Sequence, residues 1–307
     1  MFNATAPTLP LFFAQNIIQQ HGQAGQIWLN EIPQHIEELK KLWGLSDVIH
    51  FENLTYNYVA HAMQGTTPVV IKMAINPKDA AKELETLKAF QGHSAVNILA
   101  HTDTAMLLQA ANGGSAFTIN NYNRKTSNQK IVAIANELHK AKIPAGHPFT
   151  HLKDVLAPFD NPPIGIDQKY IDKAKRFRDE LLATAPPDVL LHGDLHYDNI
   201  LSHNSEYLII DPKGYIGDPA YEFAAYIANP YFELLIQPNY LETIQDIITM
   251  ISMYSGINEK RLYKWFFVYC VIVQVWLIED GGDVLMQEGT SYLDLFKKLT
   301  IQIDLLI

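Results

Sequence analysis

The run His192-Gly193-Asp194-Leu195-His196-Tyr197-Asp198-Asn199, followed after a short apolar stretch by Ile210-Asp211-Pro212-Lys213, constrains this chain more than any other feature. Val189-Leu190-Leu191 reads as a buried strand entering the run and Ile200-Leu201 as a strand leaving it. His203-Asn204-Ser205-Glu206 then reads as a turn before a third strand, Tyr207 to Ile210. A hairpin of this kind folds Asp211, just past its end, back toward Asn199, with Asp194 at the opposite end of the same loop. That grouping suits phosphoryl transfer from a nucleotide. Asp194 is the candidate catalytic base for an incoming hydroxyl, and Asn199 and Asp211 are the candidate oxygen ligands for Mg²⁺. Two other readings compete. His192, Asp194 and His196 could form a transition-metal site of a hydrolase, but that needs further ligands and leaves Asp211-Pro212-Lys213 unused. The Gly-Asp and Asp-Asn pairs could simply make turns, which does not account for three acidic or amide groups at these separations.

The rest of the chain divides into three parts. Residues 1–50 read as a helical extension, with Asn30 as N-cap before Glu31 and apolar Ile32, Ile36, Leu39 and Trp43 at helical spacing. Residues 51–112 read as a small, strand-rich nucleotide-binding lobe. In it Tyr58-Val59-Ala60 and Val69-Val70-Ile71 flank the turn Gln64-Gly65-Thr66, a helix runs from about Asp79 to Phe90, and Met106-Leu107-Leu108 forms a further strand before a hinge. Residues 113–307 read as a larger helical lobe carrying the catalytic loop and substrate site. The fold class expected is α+β, a two-lobed, protein-kinase-like architecture.

Such an architecture calls for a cation from the small lobe, held by a carboxylate on the neighbouring helix. Lys72, at the end of Val69-Val70-Ile71, is the candidate cation. At about 100° per residue, the apolar face formed by Ala80, Leu84, Leu87 and Phe90 centres roughly 45° from Glu83 and roughly 155° from Glu85. Glu83 is therefore the expected inward partner. The stretch Asn53-Leu54-Thr55-Tyr56-Asn57-Tyr58, where protein kinases place a glycine-rich turn over the phosphates, has no glycine. Thr55 and Asn57 are its candidate phosphate donors, and an ordinary hairpin turn is the competing reading. Gln109 and Ala111, in the hinge Gln109 to Asn112, are the positions that would offer backbone groups to an adenine edge.

Composition sets outer bounds. The 307 residues are 48% hydrophobic, enough for a substantial core, and carry a net charge of −10, which argues against a nucleic-acid partner and permits a cationic substrate. The single cysteine, Cys270, lies in an apolar run and fits a reducing compartment. The apolar run Trp265 to Ile278 falls short of the roughly 20 residues needed to span a bilayer and is expected to be a core helix. No Lys or Arg precedes Lys40, so the positive flank of a secretory signal is missing. These features fit a cytoplasmic protein with no membrane association and no obligate protein partner.

With Ile210-Asp211-Pro212-Lys213-Gly214 and Gly217-Asp218-Pro219-Ala220-Tyr221-Glu222 added to His192-Gly193-Asp194 through Asn199, the chain resembles the aminoglycoside phosphotransferases. It is most similar to the branch holding streptomycin 6-kinases and hydroxyurea phosphotransferases. His21 to Leu29 with Trp43-Gly44-Leu45, and Tyr269 to Asp280, resemble that branch's N-terminal extension and its C-terminal Trp-containing helix. The resemblance implies ATP and Mg²⁺ as cosubstrates and a small-molecule hydroxyl acceptor such as streptomycin. It implies roles for Asp194 as base, Asn199 and Asp211 as metal ligands, and Lys72 with Glu83 as the phosphate-positioning pair. A housekeeping metabolite as acceptor, a protein kinase and a non-catalytic nucleotide-binding protein are the other readings. Two positions depart from the family: Glu222 stands where Asp is usual, and Gln109 where acidic residues are common. Asp218 before Pro219 reads first as a helix N-cap. Lys213 is compatible with contact to phosphate or an acidic substrate group, and equally with a solvated lysine. Glu279, Asp280 and Asp283 are the candidates, by charge alone, to meet the guanidinium groups of streptomycin.

Overall fold

The computed structural model describes residues 9–115, 125–228, 239–279 and 291–307. The chain separates into two compact units, Met1–Lys88 with Val96–Ala111 and Ala89–Ala95 with Asn112–Ile307.

The first unit is built on a five-stranded sheet of β1 (Leu45–His50), β2 (Tyr58–Gln64), β3 (Thr67–Met73), β4 (Ile98–His101) and β5 (Ala105–Gln109), in the order β1-β2-β3-β5-β4 with every neighbour antiparallel. Side chains alternate across a strand. Tyr58, Ala60 and Ala62 on β2 and Val69, Ile71 and Met73 on β3 share one buried cluster with Phe13, Ile17, Trp28, Leu29, Ile32 and Leu39 of α1 (Leu11–Trp43). Lys72 falls on the opposite face. α2 (Pro77–Ala89) buries Ala80, Leu84 and Leu87, the stripe anticipated from their spacing.

Two expectations for the N-terminal region are corrected. Asn30 is not an N-cap. It lies inside α1, its Oδ1 accepting from Gln26 Nε2 at 3.3 Å, because the apolar stripe continues upstream through Phe13 and Ile17. The interruption comes earlier, at Gly22 (φ 56°, ψ −130°). The helical region also stops before residue 50: Gly44 adopts the left-handed conformation, closes the helix by donating to Lys40 O, and hands over to β1.

The second unit carries a three-stranded sheet in the order β6-β10-β7, from β6 (Thr150–His151), β7 (Val189–Leu191) and β10 (Tyr215–Gly217), and a hairpin of β8 (Ile200–His203) and β9 (Glu206–Ile209). Its described helices are α3 (Lys125–Leu138), α4 (Leu152–Val155), α5 (Gln168–Ala183), α6 (Glu222–Ala228), α7 (Tyr240–Ser255), α8 (Glu259–Glu279) and α9 (Tyr292–Asp304). α8 is long and apolar enough to cross a membrane by length and composition, so the run Trp265 to Ile278 belongs to a longer segment than its own length suggested. Its packing explains the composition. Trp265 through Ile272 are buried without a polar break, and α5, α6 and α9 pack around it. Gln274, also buried, donates to Thr300 Oγ1 at 2.8 Å and Cys270 O at 3.0 Å. Burial pushes the Cys270 thiol well above its ordinary range, as befits a small core residue.

Candidate active site

β7 delivers the chain into the loop that carries Asp194, and a set of backbone anchors holds that loop. His192 is fully buried. Its Nε2–H donates to Ile210 O at 2.8 Å and its Nδ1 accepts from Asp194 N–H at 3.2 Å, so both ring nitrogens are committed and the tautomer follows from its partners. Burial lowers the pKa of the ring, against the opposing pull of the Glu222 and Asp194 charges. The next residue must be glycine. Gly193 has φ +81°, and a Cβ there would lie 2.6 Å from the Tyr215 ring.

Beneath the loop lies Glu222, at the start of α6 and 1% exposed. It accepts from His192 N–H at 2.8 Å and Gly193 N–H at 3.0 Å, and its Oε2 is 3.3 Å from His139 Nε2. Burial pushes this carboxyl upward, but the His139 bond, the His139 and His192 charges and the Gly193 amide outweigh it and hold it below the ordinary value. Two loop amides that would otherwise be buried donors without acceptors are thereby satisfied. The sequence reading noted Glu222 only as a departure and did not find His139. No spacing signal links the end of α3 to the start of α6. Asp218 is the N-cap anticipated from Asp218-Pro219: its Oδ1 accepts from Ala220 N–H at 3.0 Å, while Oδ2 takes Arg261 Nε at 2.7 Å and Trp265 Nε1.

Asp194 is treated differently from these carboxylates. Its side chain is 25% exposed, and among the described residues its oxygens make no hydrogen bond: His196 Nε2 stands 3.6 Å from Oδ1 and Lys213 Nζ 3.8 Å from Oδ2. The base candidate is thus fixed through its backbone and free at its oxygens.

The hairpin brings Asn199 and Asp211 to one end, as the chain order implied. β8 and β9 pair Ile200 with Ile209, and Ile210 N–H donates to Asn199 O at 3.0 Å, so Asp211 follows directly on the residue paired with Asn199. Asp211 sits at φ 60°, a left-handed conformation that costs a non-glycine residue about 1 kcal/mol. Asn199 Nδ2 donates to Asp194 O at 2.9 Å and to His196 Nε2 at 3.3 Å, which leaves Oδ1 as its acceptor, with no donor on it among the described residues. An amide oxygen and a carboxylate carried to the same end of one hairpin are donor types suited to Mg²⁺. The transition-metal alternative finds no support. Both His192 nitrogens are occupied, and among the described residues no group of three or more His, Cys, Asp or Glu is placed to hold a metal ion.

In the first unit Lys72 Nζ donates to Glu83 Oε1 at 2.7 Å, with the two side chains 4% and 13% exposed. Glu85 turns outward to Lys88. Thr55 is exposed and its backbone O accepts from Asn16 Nδ2 at 3.4 Å; Asn57 is half-buried, and Leu54, just before them, is buried. Gln109 is tied to Asn97, accepting from its Nδ2 at 2.8 Å and donating its own N–H to Asn97 O at 2.9 Å, and Ala111 follows in irregular backbone. Glu279 is exposed at the end of α8, whereas Asp280 and Asp283 lie outside the described residues.

A buried Lys–Glu pair in a five-stranded sheet unit, an open carboxylate on a pinned loop and an Asn–Asp pair at a hairpin end together point to a kinase fold. The model of the aminoglycoside/hydroxyurea antibiotic resistance kinases matches residues 54–281, three quarters of the chain. The chain belongs to that family. It is a phosphotransferase acting on small molecules. It is 22% identical to streptomycin 6-kinase of Streptomyces glaucescens, over 90% of this chain and 93% of that one. Hydroxyurea phosphotransferase of Kitasatospora aureofaciens is 23% identical over 92% of this chain and 84% of that one. Among solved structures a choline kinase from Streptococcus pneumoniae superposes with a TM-score of 0.65 at 16% identity, covering 89% of this chain and 99% of that one. The protein-kinase-like fold of small-molecule kinases is thereby established for this chain.

Proposed function

We propose that this protein transfers the γ-phosphoryl group of MgATP to a hydroxyl of a cationic small molecule, streptomycin being the acceptor to test first. The observation that carries the reading is Asp194: its loop is pinned by Glu222 and His192, yet among the described residues its carboxylate oxygens make no hydrogen bond. In this reading the acceptor O–H gives its proton to Asp194, the acceptor oxygen bonds to the γ-phosphorus, and ADP departs with the electron pair of the broken P–O bond. Lys72, steadied by Glu83, neutralises the nucleotide phosphates. A Mg²⁺ ion held by Asn199 and Asp211 would supply charge neutralisation on the phosphate oxygens. Residues 51–112 would serve the nucleotide, with backbone at Gln109 and Ala111 meeting its base, Thr55 and Asn57 its phosphates. Residues 113–307 would carry the catalytic loop and acceptor site, and residues 1–50 an extension.

Support for the nucleotide comes from structural neighbours of the same fold. One is an aminoglycoside phosphotransferase in ternary complex with ADP and hygromycin B, another an amicoumacin kinase with AMP-PNP. Support for a cationic acceptor comes from the streptomycin kinases among the relatives and from the net charge of −10. Glu279, Asp280 and Asp283 are the acidic residues proposed to meet it. The test is ADP release from MgATP with streptomycin, with hydroxyurea and with neither. Streptomycin-stimulated release is the expected result. Stimulation by hydroxyurea alone would move the acceptor to the other branch activity, and stimulation by neither would exclude both antibiotics and leave a housekeeping metabolite as the reading.

A further inference from the structure

The loop that presents Asp194 is closed on itself. Asn199 Nδ2 donates to Asp194 O at 2.9 Å, so the residues between them form a short arc whose two ends meet. Asp198 stands on that arc, directly before Asn199. Its backbone is bracketed by anchored neighbours: Asn199 N–H donates to His196 O at 3.0 Å, and Tyr197 O accepts from Ile200 N–H and from Ser115 Oγ, the latter at 3.0 Å. His196 gauges the separation of the two aspartates. Its Nε2 lies 3.6 Å from Asp194 Oδ1 and its Nδ1 lies 3.4 Å from the Asp198 amide nitrogen, so a single imidazole ring spans the gap.

The carboxylates around this loop are put to different uses. Glu222 and Asp218 are each 1% exposed and commit their oxygens to the protein's own amides and side chains. Asp194 is assigned to the proton of the acceptor hydroxyl. Asp198 is exposed, with the Tyr197 side chain bonded to it. Although solvent reaches it, the surrounding loop strips part of its hydration, which raises its pKa; the Asp194 charge adds to the rise, and His196 and the Tyr197 bond oppose it. Two negative charges that act on each other across one ring are both relieved by a cation brought between them.

We infer that Asp198 recognises a guanidinium or ammonium group of the acceptor while the acceptor's hydroxyl is offered to Asp194. The acceptor must come to this loop, because its O–H gives its proton there. A cation on the same molecule then meets, at the far end of a closed arc, a carboxylate able to take charge-assisted hydrogen bonds, two of them in parallel from a guanidinium. The role is to select and orient the acceptor; no bond or proton changes place at Asp198. This rests on the phosphotransferase reading above and puts an acceptor contact on the base's own loop, distinct from Glu279, Asp280 and Asp283.

The test is the binding of streptomycin, as the cationic probe, to the full chain with MgADP present, for wild type, Asp198→Asn and Asp198→Glu, at low and at high salt. The wild type is expected to bind. Asp198→Asn, which keeps the shape and removes the charge, should weaken binding by about 10- to 10²-fold and flatten its salt dependence, and Asp198→Glu should recover most of the affinity. MgADP affinity should stay within about threefold in all three, which also certifies that the variants are folded. If Asp198→Asn binds streptomycin as tightly as the wild type, the inference is overturned and a cationic acceptor is met elsewhere. A loss of MgADP affinity in Asp198→Asn also overturns it, since Asp198 would then serve the nucleotide or its metal. If the wild type binds MgADP and not streptomycin, the cationic-acceptor reading falls and this inference with it. If the wild type does not bind MgADP, the nucleotide reading falls as well.

Discussion

The loop that carries Asp194 and the loop Asn53–Tyr58 are both assigned to phosphate chemistry, and they are built in opposite ways. The first is over-determined: Glu222 takes two of its amides, His192 bridges Ile210 to Asp194, and Gly193 lies against the Tyr215 ring. The second has no glycine to admit close backbone approach; Asn16 Nδ2 donates to Thr55 O at 3.4 Å, joining it to α1, and Leu54 is buried. The difference teaches where precision is concentrated. The proposed base is positioned by backbone anchors buried beneath it, whereas in the first unit the proposed phosphate contact is a buried side chain, Lys72, bonded to Glu83.

The sharpest way to break this contrast is to remove the anchor. Glu222→Ala would leave the amides of His192 and Gly193 and the His139 ring without their acceptor in the core. We expect a loss of about 3–5 kcal/mol in stability, read as a lowered Tm, together with loss of transfer activity. The same anchor sets an acid response. Burial holds His192 below its ordinary 6.5, and Glu222, raised by burial but lowered further by His139 and the loop amides, sits below its ordinary 4.5. Both folded-state values are depressed, so the unfolded chain binds protons first as pH falls. Their contributions are present above the unfolded values and are lost as pH drops toward the folded ones. Tm measured from about pH 7.5 to about pH 4 should therefore fall, His192 acting first and Glu222 below it. Glu222→Gln should flatten the lower part of that limb.

Next in size is Lys72→Met, expected to reduce kcat/KM for MgATP by about 10²-fold and, because it removes the buried cation paired with Glu83, to lower Tm as well. Gly193→Ala should cost about 1–3 kcal/mol, because the added Cβ meets the Tyr215 ring and alanine disfavours a positive φ. Smallest are Thr55→Ala and Asn57→Ala, each expected to leave kcat/KM within about threefold of wild type. A larger loss there would give the glycine-free loop the importance now assigned to Lys72.

Much of this arrangement was legible in the residues, and the reasons are physical. The hairpin that brings Asp211 beside Asn199 follows from two short apolar strands with a polar turn between them, and local pairing enforces it. Glu83 was separable from Glu85 because helix periodicity is a strong constraint over three turns. What escaped was long-range or one-off. Asn30 looked like a cap because capping residues also occur inside helices, and the true break at Gly22 carries no apolar signature. His139 reaches Glu222 only through tertiary packing, and the tie from Lys213 to His192 depends on a left-handed turn at Asp211 that a non-glycine residue does not announce.

The central claim is that Asp194 is the base of a phosphoryl transfer and not a structural carboxylate. The direct measurement is transfer of labelled γ-phosphate from MgATP to streptomycin by the wild type and by Asp194→Ala, with Tm recorded for both. The account predicts product from the wild type, a loss of about 10³-fold or more in the variant, and Tm values within a few degrees of each other, because the carboxylate holds no hydrogen bond in the described structure. Transfer by Asp194→Ala at a rate near that of wild type would contradict it.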